Sequence, residues 1–84
     1  MNSKQAKTLA AVFAEPASAN VPWKDIESLL VAVGCLVGEG KGSGVRFELG
    51  EDSVRFHRPH PAKEAKRYQV RDACAFLTKI GITP

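Results

Sequence analysis

The chain has 84 residues, 44% hydrophobic and 25% charged, with a formal net charge of +3. This is globular composition for a single domain over 1–84, and it argues against a disordered chain or two domains. The longest uncharged run, 28–38, is too short to cross a bilayer, and no apolar signal core follows Met1, so the cytosol is the expected location and no membrane partner is expected.

Ala6, Leu9, Ala10 and Phe13 recur at helical spacing and predict a first helix over 3–14, which Ser3 can cap and Pro16 stops. A loop is expected over 16–20. Pro22 suits the first turn of a second helix, in which Ile26, Leu29, Leu30 and Val33 form the stripe of a helix packed on a core and Gly34 supplies the end. Residues 35–37 read as a short strand. The stretch 38–44 carries Gly38, Gly40, Gly42 and Gly44 and reads as a turn or loop. Residues 45–49 alternate apolar and polar as a half-buried strand does; 50–52 is turn material; 54–57 alternates again until Pro59 and Pro61 end it. Val70, Ala73, Cys74 and Leu77 mark a third helix closed by Gly81. The order α-α-β-β-β-α predicts an α+β fold: a three-stranded antiparallel sheet with one apolar face under the helices and one wet face. Such a short chain buries roughly 60–65% of its unfolded surface, so its core is small.

Cys35 and Cys74 belong to no CxxC pair and sit in apolar surroundings, so they read as small core residues rather than as a disulfide or zinc site. The carboxylates do not cluster, and neither a metal nor another cofactor is expected. The basic residues do cluster. Between 55 and 71 stand Arg55, Arg58, Lys63, Lys66, Arg67 and Arg71, opposed only by Glu64, and both histidines, His57 and His60, lie among them. Such a patch reads either as a solvated basic face or as a surface for a polyanion.

Strand alternation points Val45, Phe47, Leu49, Val54 and Phe56 inward. A hairpin with 50–53 as its loop pairs Leu49 with Val54 and Phe47 with Phe56, which sets Glu48 opposite Arg55 and Arg46 opposite His57 on the wet face. Glu48 with Arg55 then forms a cross-strand ion pair. Arg46 beside His57 makes structural sense around an anion. A phosphate held by Arg46 with Arg55 or Arg58 brings a ribose within reach of His57. RNA cleavage needs a base for the 2′-hydroxyl, an acid for the leaving 5′-oxygen and cations for the phosphorane charge; histidine suits both proton roles near neutral pH. His60, between two prolines, reads equally as a cap for the following segment. Trp23 reads as an anchor between helix and core rather than as a stacking platform. Lys41 in the glycine loop can touch phosphate, although the loop lacks Walker spacing.

The layout over 21–82 resembles the HicA family of bacterial toxins. The likeness rests on Trp23-Lys24-Asp25-Ile26-Glu27-Ser28-Leu29-Leu30 ending at Gly34, on Gly40-Lys41-Gly42-Ser43 before the second strand, on Pro59-His60, and on Val70-Arg71-Asp72-Ala73 running to Ile80-Gly81-Ile82. The resemblance implies a fold similar to the double-stranded RNA-binding domain. It further implies mRNA cleavage that arrests growth, and neutralisation by a HicB-type antitoxin expected to cover the wet sheet face. An extra helix within 1–15 lies outside the usual pattern. The family places its catalytic histidine directly after the Gly-Ser pair, where this chain has Gly44. That role is therefore expected at His57, with His60 helping and Lys41, Ser43, Arg46, Arg55, Arg58, Lys63, Lys66 and Arg67 as RNA contacts. The alternatives are a non-catalytic RNA-binding domain, an inactive toxin acting through its antitoxin complex, and a purely structural partner domain.

Overall fold

In a computed structural model, which describes residues 1–16, 18 and 20–84, helix α1 (Ser3–Val12) is capped by Asn2 rather than Ser3. The Asn2 side chain accepts the Gln5 N–H at 2.8 Å, and the Gln5 side chain accepts the Asn2 N–H at 2.9 Å, so each residue satisfies a donor that the helix end leaves open. The helix ends before Pro16, as expected. The expected loop at 16–20 includes Ala17 and Ala19, which lie outside the described residues.

Helix α2 (Trp23–Ala32) follows Pro22, and helix α3 (Arg67–Lys79) closes the chain. Both end at the predicted glycines. Gly34 and Gly81 have φ of 108° and 83°, and the residue after each donates back into the last turn, Cys35 to Leu30 at 3.1 Å and Ile82 to Leu77 at 2.8 Å. This two-bond ending needs a left-handed residue, which glycine supplies without a Cβ clash.

Strands β1 (Leu36–Glu39), β2 (Gly44–Leu49) and β3 (Asp52–His57) form one antiparallel sheet in the order β1-β2-β3. The predicted fold class, α+β with three strands and three helices in the order α-α-β-β-β-α, is the one observed. The predicted hairpin register is not. Leu49 pairs with Asp52, Phe47 with Val54 and Val45 with Phe56, so the loop is Gly50-Glu51 and not 50–53. Gly50, with φ of 62°, supplies the first position of a two-residue turn whose twist matches the strands it joins. The shift amounts to two residues. Because strand side chains alternate with a period of two, every residue keeps its predicted face while its partner changes.

The inward faces close a single core. Phe47 and Phe56 stack edge-on at a centroid distance of 6.1 Å, and Trp23 meets Phe56 at 5.0 Å. Trp23 is 5% exposed, in keeping with the anchor role expected of it. Leu9 and Val12 of α1, Leu29 and Leu30 of α2, and Val70 and Leu77 of α3 complete the cluster. Cys35 is buried and Cys74 packs against the same cluster, both as free thiols; burial pushes the Cys35 thiol pKa up. No helix among the described residues is long and apolar enough to cross a membrane.

The connection from β3 to α3 is pinned at its middle. The Trp23 N–H donates to the Lys63 carbonyl at 2.9 Å and the Ala65 N–H to the Val21 carbonyl at 2.8 Å. The basic segment is thus tied to the start of α2 rather than trailing in solvent.

Candidate functional site

The observed register decides which charges meet on the wet face. His57 stands opposite Gly44, Arg46 opposite Arg55, and Glu48 opposite Ser53. Two expectations are corrected. Arg46 does not face His57 directly, and Glu48 does not pair with Arg55. Glu48 instead accepts from Arg46 two residues along the same strand, at 2.6 Å. Arg55 is left exposed and, among the described residues, makes no ion pair. The shorter loop causes both changes, because it moves each β3 residue two positions along β2.

Gly44 leaves a gap that the His57 imidazole borders. A Cβ added to Gly44 would lie 4.0 Å from the His57 Cε1 atom. A concavity of about 380 Å³ opens at this end of the sheet. Glu39, Gly40, Lys41, Arg46, Arg55 and His57 are among the residues that line it. His57 is exposed, and its Nδ1 lies 3.4 Å from the Ser43 hydroxyl. The backbone of His57 is held from below. Its carbonyl accepts the Gln69 side-chain amide at 2.7 Å, while the Gln69 amide oxygen accepts the Lys66 N–H at 2.9 Å. Gln69 is 1% exposed, so this bridge from the end of β3 to the start of α3 is shielded from water.

Arg58, expected as an RNA contact, is engaged by two carboxylates of the same chain. Its Nε donates to Glu27 at 2.5 Å, and its terminal nitrogens grip both oxygens of Glu39 at 2.7 and 3.0 Å. The same Glu27 oxygen accepts the Trp23 indole N–H at 2.6 Å. The hydrogen bond from Arg58 holds the Glu39 carboxyl below its ordinary pKa, and the two carboxylates raise that of Arg58. A lowered carboxyl pKa adds stability that is complete above the ordinary glutamate range and is lost as pH falls through the lowered value. Acid melts of the parent are therefore expected to lose stability over that window, with a shallower loss in Glu39→Gln.

Other expected contacts lie apart. His60, Lys63 and Lys66 are exposed in the connection before α3, Arg67 is the first residue of that helix, and none of the four lines the concavity. The sequence assigns no site role to Glu39, Glu27 or Gln69. Gln69 was readable in principle, since it occupies the third helical position where a side chain bonds back to the cap. The Glu39–Arg58 clamp joins positions 19 residues apart and carries no local signal. Among the described residues no group of three or more His, Cys, Asp or Glu side chains is arranged to hold a metal.

A family model described as HicA toxin of bacterial toxin-antitoxin matches residues 23–82. The chain belongs to the HicA toxin family. No curated protein and no solved structure matched it in the corresponding searches. Family membership makes this chain the toxin of a toxin–antitoxin system, with an antitoxin as its partner. The match begins at the first residue of α2, so α1 precedes the part of this HicA-family toxin that the family model covers.

Proposed function

We propose that this toxin binds and cleaves mRNA by metal-independent acid–base chemistry on the ribose 2′-hydroxyl, and that a HicB-type antitoxin silences it by covering the wet sheet face. The observation that carries this reading is the imidazole of His57 directly across from Gly44, the position where the family has its histidine, at the rim of a concavity lined by Lys41, Arg46 and Arg55. The RNase-like character of the family supports a nuclease role.

In this mechanism a phosphodiester enters the concavity against Lys41, Arg46 and Arg55. His57 removes the 2′-hydroxyl proton, the 2′-oxygen attacks phosphorus, and the bond to the 5′-oxygen breaks. The cations stabilise the charge that develops on the phosphorane oxygens. Ser43, beside the His57 Nδ1, orients the ring. The leaving 5′-oxygen takes its proton from water, and His60, exposed and outside the concavity, assists that transfer from a distance rather than as a fully positioned acid. Lys63, Lys66 and Arg67 extend the basic track along the connection and into α3, and Arg58 joins the contacts only if Glu39, which fills its fork, is displaced.

The products of this route are a 2′,3′-cyclic phosphate and a 5′-hydroxyl. Purified toxin incubated with single-stranded RNA in excess chelator is expected to yield those ends, and expression without antitoxin is expected to arrest growth. RNA that stays intact under conditions where the protein binds it would instead favour the second reading, a toxin that binds RNA without cutting it. The bare backbone at Gly44 is the observation on that side. Binding that is absent or insensitive to salt would leave only a structural partner domain, since phosphate contacts weaken steeply as salt rises.

A further inference from the structure

Arg58 does not itself line the concavity, but its guanidinium fork is filled by a carboxylate that does, Glu39. Both Glu39 oxygens sit on the two terminal nitrogens, the planar two-bond arrangement by which arginine also binds phosphate. The two glutamates that hold Arg58 are not equivalent. The Glu27 side chain is 27% exposed and is fixed by the Trp23 indole as well as by Arg58 Nε. The Glu39 side chain is 66% exposed and, among the hydrogen bonds described, is held by Arg58 alone. It stands at the end of edge strand β1, next to Gly40, and it lines the same concavity as Lys41, Arg55 and His57. A carboxylate there repels an incoming anion and competes with it for Arg58.

We propose that Glu39 is an internal placeholder for RNA phosphate: substrate displaces it from Arg58, which stays anchored through Glu27 and turns its fork to the phosphodiester. This rests on the RNA reading above and adds a determinant of affinity to it. The exchange swaps one anion for another on the guanidinium, so in the parent it releases little net counterion. With the carboxylate removed, the same contact becomes a net charge neutralisation. One further phosphate contact on a single strand steepens the dependence of log affinity on log salt by about 0.7. The lowered pKa of Glu39 accords with a carboxylate held in its charged form by the guanidinium.

The test is binding of a single-stranded 2′-O-methyl RNA, which the enzyme cannot cut, to the parent, Glu39→Gln, Arg58→Gln and the double variant across a salt series. Thermal melts establish that each is folded. Glu39→Gln is expected to bind roughly five- to tenfold tighter at low salt, with the salt slope steeper by about 0.7. Arg58→Gln removes both the charge and the fork, so in the double variant the gain in affinity and in slope is expected to vanish. If the parent binds RNA and Glu39→Gln matches it in affinity and slope, the placeholder is wrong and the RNA reading stands. If the gain persists in the double variant, Glu39 acts by general repulsion and Arg58 takes no phosphate. If the parent binds no RNA at any salt concentration, the RNA reading itself fails.

Discussion

His57→Ala is expected to slow RNA cleavage roughly 100- to 10,000-fold, the range for losing one positioned proton-transfer group. Folding should be nearly untouched. The ring is exposed, and the hydrogen bond that locks this residue to Gln69 uses its backbone carbonyl, which alanine retains. A surface change of this kind stays within about 0.5 kcal/mol. RNA affinity should also survive, because Lys41, Arg46 and Arg55 remain. Loss of cleavage with retained binding and an unchanged melt is therefore the expected pattern, read by product ends, gel shift and circular dichroism on one preparation. His60→Ala, outside the concavity, is expected to cost less than about tenfold, below the range of a fully positioned group. A His57→Ala protein that cuts RNA at the parent rate would remove the chemistry from this face, and Gly44 would then mark a lost activity rather than a relocated one.

Removal of α1 is expected to destabilise the protein severely, even though the family match begins after it. The helix is part of the core. Leu9 and Val12 are 6% and 3% exposed, and burying two such side chains contributes about 1.5–3 kcal/mol each as an upper estimate. The polar contacts Gln5 to Ser28 at 3.0 Å and Lys4 to Asp25 at 3.5 Å set the helix against α2 without adding much, since both are solvent-accessible. A chain of this length has a total stability on the order of 4–13 kcal/mol, so losing α1 removes a large share of it and bares the apolar faces of α2 and α3. Leu9→Ala is the graded version, with an expected cost of about 2–5 kcal/mol and a melting temperature lower by roughly 10 °C or more. A fragment over 21–84 that melts with the parent would make α1 a dispensable appendage.

The two corrections on the wet face have one origin. Alternation in 45–49 and 54–57 was enough to assign Phe47 and Phe56 to the core and Arg46, Arg55 and His57 to the opposite side, because a one-residue slip would bury charges. A two-residue slip buries none. The pattern could not distinguish Arg46 facing His57 from Arg46 facing Arg55, and the choice fell to the tight turn at Gly50-Glu51. Arg58 hides its partners from the sequence for a different reason. Its place in a basic run suggested a free cation, whereas its partners Glu27 and Glu39 come from α2 and β1.

Local sequence by itself determined the elements, their order, both glycine helix ends, the buried stripe of α2 and the side of the sheet on which each strand residue lies. These follow from backbone preference and from the periods 3.6 and 2, which act over a few neighbours. Tertiary structure decided what those elements place together: Gly44 across from His57, Gln69 beneath the His57 carbonyl, and Glu39 in the Arg58 fork. Each of these contacts joins segments far apart in the chain, so no local period encodes it, and it is set only when the turn closes and the helices settle on Trp23, Phe47 and Phe56.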